Sequence, residues 1–113
     1  MTKNISATEK RNVTLANKRT TLQLEGYIWD NASAIATATN RSLSELLNDI
    51  AAHKHKMAMA PSVRLFLMLY LTHYKQNLDD RLANDQLAVQ EDVPQAQQSY
   101  DYALLRFQAM AKL

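Results

Sequence analysis

Cysteine is absent from the 113 residues, glycine occurs once and proline twice. The first absence excludes disulfides, zinc-thiolate sites and thiol nucleophiles, and it fits a reducing compartment. A single glycine, Gly26, excludes a glycine-rich phosphate loop, and no nucleophile with a base, nor any carboxylate pair, stands at a recognisable spacing. His53 and His55 are two residues apart, a spacing that a helix does not present on one face. No catalytic residue, cofactor or metal is therefore expected. Long hydrophobic runs are also lacking. The most apolar stretch, "LFLMLYL" from Leu65 to Leu71, is far shorter than the ~20 residues of a membrane-crossing helix, and the N-terminal "MTKNISATEKRNVT" has no apolar signal-peptide core. These absences lead us to expect a soluble, unexported, cytoplasmic protein with no membrane partner.

What is present suffices for one small domain, since 47% of the residues are apolar. The net charge of +2 hides a polarity along the chain. Residues 1–24 carry Lys3, Lys10, Arg11, Lys18 and Arg19 against Glu9 alone, whereas residues 77–113 carry Arg81, Arg106 and Lys112 against twice as many acids. A basic head is attracted to polyanions, and an acidic tail is not.

Residues 1–10 are short of apolar side chains and read as a flexible basic arm. In "RTTLQLE" the alternation puts Thr20, Leu22 and Leu24 on one side of a strand and Arg19, Thr21 and Gln23 on the other. Val13 and Leu15 repeat that alternation in miniature, so "NVTL" reads either as a short companion strand turning back at "ANK" or as part of the arm. From Tyr27 the period becomes helical, with Ile28, Trp29, Ala32, Ile35 and Ala36 on one stripe, and the helix should end near Thr39 with Asn40 in the left-handed position. "SLSE" then forms a capping box with Ser42 as N-cap and Glu45 three residues on, opening a second helix that buries Leu43, Leu46, Leu47 and Ile50. Pro61 starts a third helix, expected to run to about Lys75, on which Arg64 reads as a structural charge. Beyond Gln76 the chain is acidic up to Pro94, and "SYDYALLRFQAMAKL" is amphipathic, with Ala103, Leu104, Phe107, Met110 and Ala111 on one face. The expected organisation is an arm (1–10), a domain (11–76), and an acidic linker with a C-terminal helix (77–113).

A strand this short cannot satisfy its own backbone, so its partner lies elsewhere in the chain or in another copy. The segments "NVTL", "RTTLQLE", "IW", "SLSEL" and "VRLF" resemble, in order and over about Lys10 to Tyr74, those of the ribbon-helix-helix DNA-binding superfamily. The similarity is to the subgroup with an additional third helix. It departs at Asn17 and Gly26, where relatives often have Gly and Pro, and at Ala60-Pro61, where they tend to have serines.

That resemblance implies a mainly α fold with a short strand, forming an intertwined homodimer whose strands pair between subunits in an antiparallel ribbon. Thr20, Leu22 and Leu24 would join Ile28, Trp29, Ile35, Leu43, Leu46, Leu47 and Ile50 in the dimer core. Arg19, Thr21 and Gln23 would contact bases of double-stranded DNA in the major groove, which admits a two-stranded ribbon. Lys18, Arg41 and the start of the second helix at Ser42, Leu43 and Ser44 would contact phosphates. The function implied is that of a bacterial or phage transcriptional repressor. Two alternatives stand beside it: an antitoxin whose tail, residues 96–113, binds a toxin, and a dimeric interaction module without DNA binding.

Overall fold

The computed structural model describes residues 7–83 and 94–113. A hairpin of β1 (Thr8–Leu15) and β2 (Lys18–Glu25) leads into α1 (Gly26–Ala38), α2 (Leu43–His53), α3 (Met59–Ala83) and α4 (Gln95–Ala111). The strands are antiparallel, with Leu15 opposite Lys18 and Thr8 opposite Glu25. Ala16 and Asn17 join them with φ of 51° and 67°, the two left-handed residues of a type I′ turn, whose twist matches that of the strands. The Gly26 N–H donates to the Ala7 carbonyl at 3.0 Å and continues the ladder. This phase means that even-numbered β2 residues turn their backbone groups toward β1, while Arg19, Thr21 and Gln23 turn theirs toward the opposite edge.

The backbone of β2 thus finds one partner within its own chain. The sheet has two strands among the described residues, so the other edge of β2 has no strand paired to it there. β1 is also longer than "NVTL": Thr8, Glu9 and Lys10 lie in the strand rather than in an arm. The indole N–H of Trp29 donates to the Glu9 carbonyl at 3.0 Å, and the Arg11 guanidinium lies 4.6 Å over the Trp29 ring. These contacts order a segment whose composition alone favours disorder.

Helix ends follow local chemistry. α1 closes in a Schellman motif, with Arg41 N–H to Ala36 O at 2.8 Å, Asn40 N–H to Thr37 O at 3.1 Å, and Asn40 at φ 59°. α2 opens with the full capping box: Ser42 Oγ accepts from the Glu45 N–H, and the Glu45 carboxylate accepts from the Ser42 N–H. α3 starts two residues before Pro61, which still lies in the first turn, where a missing N–H costs nothing. It also runs eight residues beyond Lys75, because "QNLDDRLA" contains no breaker and Lys75 pairs with Asp79 one turn on at 2.9 Å.

Leu22, Leu24, Ile28, Trp29, Ile35, Leu46, Leu47 and Ile50 are buried in one cluster with Val63, Phe66 and Tyr70, and Leu43 is half-buried at its margin. Thr20, which the resemblance places in the core of a dimer, is solvent-facing in the single chain. It is exposed together with its neighbours Ala16 to Thr21 at the turn end of the hairpin. α4 packs against α3, α2 and α1, and its Tyr100, Ala103 and Phe107 complete the core. Phe66 meets Tyr100 edge-on at 5.2 Å and Phe107 at 6.5 Å.

Candidate nucleic-acid interface

The outward face of the hairpin holds two rows of side chains. β2 supplies Arg19, Thr21 and Gln23, all exposed, and the register sets Thr14, Asn12 and Lys10 of β1 directly across from them. These cross-strand pairs are of the non-hydrogen-bonded kind, in which side chains approach most closely. The Thr21 hydroxyl donates to Asn12 Oδ1 at 3.0 Å, and the Gln23 amide donates to Thr8 Oγ1 at 2.6 Å. Thr21 therefore presents acceptor lone pairs and a methyl group outward. Gln23 keeps its carbonyl oxygen and one N–H, and Asn12 presents its amide N–H groups.

The face carries no acidic side chain from Lys10 and Gln23 to the turn. Glu9 lies on the opposite face and forms an ion pair with Arg11 at 3.0 Å. Glu25, at the end of β2, is held by Arg64 through Nε at 3.1 Å and Nη2 at 2.6 Å, and the guanidinium keeps its carboxyl below the ordinary carboxylate range. Arg64 thus has the structural role read from the sequence. It joins α3 to the strand-helix junction and offsets the one carboxylate at the end of the polar face.

The expected phosphate contacts are placed less uniformly. Lys18 stands exposed beside the turn, and at the start of α2 the Leu43 and Ser44 N–H groups have no acceptor within the helix, whereas the Ser42 N–H is taken by the Glu45 carboxylate. Arg41 is not free beside them. Its Nη1 donates to Gln97 Oε1 at 2.8 Å and to the Thr39 carbonyl at 3.1 Å, its Nε lies 3.7 Å from Asp49, and its guanidinium stacks 3.7 Å from the Tyr100 ring centroid. The Tyr100 hydroxyl donates to Asp49 at 2.5 Å, and burial together with that hydrogen bond raises its pKa. α4 thus holds Arg41 as a structural residue.

Two features of this face escape a strand-only reading. The first is the β1 row, Lys10, Asn12 and Thr14, whose alternation was visible only at Val13 and Leu15. The second is Asn48, whose amide N–H groups donate to the Thr14 carbonyl at 2.9 Å and the Ser44 carbonyl at 2.8 Å, while its oxygen accepts from the Ala16 N–H at 3.0 Å. Asn48 fixes the hairpin turn to α2. Its signal in the sequence is an asparagine in mid-helix, where propensity disfavours it.

The described residues thus form a β-hairpin with a polar, partly basic outer face, followed by four helices. The sequence model described as the ribbon-helix-helix domain matches residues 8–71, more than half of the chain, and the chain belongs to that family. Neither a curated protein nor a solved structure matches it at a significant level. Ribbon-helix-helix domains are in general those of DNA-binding regulators and are typically non-enzymatic. Among the described residues no helix is long and apolar enough to cross a membrane.

Proposed function

We propose that the chain is a homodimeric, sequence-specific DNA-binding protein that acts as a transcriptional repressor by occupying operator DNA. The observation that carries this reading is the acid-free outward row Arg19, Thr21 and Gln23 on a strand whose second edge is open. Those three residues hold both the outward side chains and the outward backbone groups, so pairing with the same strand of a second copy sets two identical rows side by side. The resulting two-stranded centre fits the major groove. Arg19 suits guanine O6 and N7, and the remaining amide groups of Gln23 suit adenine. Each good bidentate contact discriminates by about 1–3 kcal/mol.

The second copy has a place to dock. A groove of about 360 Å³ begins at Arg64, beside the end of β2, and runs between α1 and α3 past Tyr27, Leu67, Met68 and Leu71. Met68 is 67% exposed and Tyr27 46%, which is apolar surface that a strand-paired partner would cover. The tail supports the regulator over the antitoxin, since the apolar face of α4 is already spent on Phe66 and its neighbours.

The test is binding to the gene's own upstream DNA against random DNA of equal length over a salt series, for wild type and an Arg19→Ala, Thr21→Ala, Gln23→Ala triple variant. Wild type should prefer the upstream fragment, and the triple variant should lose that preference while keeping salt-dependent background binding. Equal preference in both proteins would remove the assignment of these residues to base contacts.

A further inference from the structure

The function proposed above leaves β1 without a task. We propose that β1 is a backbone-contacting strand, on which Lys10, Asn12 and Thr14 grip the DNA phosphates that flank the groove entered by β2. This inference rests on the DNA-binding reading.

The argument starts from width. Pairing at the open edge of β2 produces the strand order β1, β2, then β2 and β1 of the partner. Neighbouring strands lie about 4.8 Å apart, so the two central strands fit a major groove of about 12 Å. The two outer strands are then about 14 Å apart, three spacings, which exceeds that groove. They must therefore ride over its walls, where the phosphates are.

The chemistry of the β1 row agrees. Lys10, Asn12 and Thr14 are exposed and share the outward face with the β2 row. The Asn12 oxygen accepts from the Thr21 hydroxyl at 3.0 Å, which engages one of its two lone pairs and leaves its two amide N–H groups as its fuller offer. What Asn12 offers outward is a donor, and a phosphate oxygen needs only donors. Lys10 offers an ammonium and Thr14 a hydroxyl, and the one carboxylate on this face, Glu25 diagonal to Lys10, is held by Arg64.

The surroundings point the same way. A cleft of about 340 Å³ separates β1 from the start of α2 and is lined by Asn12 and Thr14 on one side and Leu43 and Ser44 on the other. Asn12 and Thr14 thus border the same space as the start of α2, together with Arg11, Val13 and Trp29, while Lys10 lies beyond it along β1, so one stretch of sugar-phosphate backbone can run from α2 along the strand.

The experiment is Lys10→Ala, with Lys10→Arg as its conservative counterpart, in full-length protein titrated with upstream and random fragments over a salt series. Lys10 is exposed, so both variants should fold, and circular dichroism checks this. Two lost phosphate contacts per dimer should flatten the slope of log K against log salt by about 2. Affinity should fall equally for both fragments, the preference between them should stay unchanged, and Lys10→Arg should restore the slope. An unchanged slope with altered preference would overturn the proposal in favour of base contacts by β1. Unchanged slope and preference would take β1 off the DNA while leaving the function of β2 standing. Failure of wild type to bind either fragment would overturn both readings together.

Discussion

Phe107→Ala measures how far the C-terminal helix belongs to the domain. The Phe107 side chain is fully buried and meets Phe66 edge-on at 6.5 Å, beside the Phe66–Tyr100 pair at 5.2 Å. Truncating a buried phenylalanine to alanine costs about 3–5 kcal/mol, combining lost transfer free energy with the cavity left behind. A domain of this size is stable by roughly 5–15 kcal/mol. The variant should therefore lose a large share of its stability and melt on the order of 10–25 °C lower. Urea unfolding at one fixed protein concentration is the assay, because self-association would make the midpoint depend on concentration. Leu105→Ala is the control on the same helix: Leu105 is 68% exposed, and its truncation should stay within about 0.5 kcal/mol of wild type. If Phe107→Ala came within about 1 kcal/mol of wild type, α4 would contribute nothing to the fold, and the case against a tail reserved for another protein would collapse.

Two further outcomes follow from single contacts. Asn48→Ala removes the amide that holds both the Thr14 carbonyl and the Ala16 N–H, and after the gain in helix propensity it should destabilise by about 1–2 kcal/mol and weaken DNA binding; wild-type urea stability would show that the turn holds itself. Glu25 is held below its ordinary pKa of 4.5 by hydrogen bonding to Arg64, so the stability it contributes is complete above that value and is lost as pH falls through the lowered one. The urea midpoints of wild type and Glu25→Gln should accordingly differ most near neutrality and converge in acid, and a difference independent of pH would count against the ion pair.

Much of this fold could be read from local chemistry because local chemistry decides it. The Ser42–Glu45 box, the left-handed Asn40 and the apolar stripe of α1 each involve residues within a turn or two of one another. The alternation of β2 likewise sorts Leu22 and Leu24 from Arg19, Thr21 and Gln23 without reference to the rest of the chain. β1 was legible only from Val13 to Leu15, because Thr8 to Lys10 are ordered by a partner far along the chain, the Trp29 indole. The length of α3 is not legible in the sequence, because its last two turns are largely polar, and polar residues without Gly or Pro continue a helix as readily as they form a linker. The environment of Arg41 could not be foreseen, since Gln97 and Tyr100 reach it from 56 and 59 positions further along.

The placement of Arg41 also decides how DNA would be gripped. The capping box puts the Glu45 carboxylate at the start of α2, and its hydrogen bonds to Ser42 keep it ionised, so the helix N-terminus offers its amides to an anion beside a standing negative charge. A cation is needed nearby to offset that repulsion. Arg41 is adjacent in sequence, but it is stacked on Tyr100 and bonded to Gln97. The Arg41 charge reaches Glu45, but its donors are held by Gln97 and Thr39, so under the DNA-binding proposal the free cations for phosphate are those of the hairpin, Lys18 beside the turn and Lys10 on the outer strand. Substituting Arg41 should then cost stability through α4 and leave the salt dependence of binding nearly intact, whereas substituting Lys10 should do the reverse.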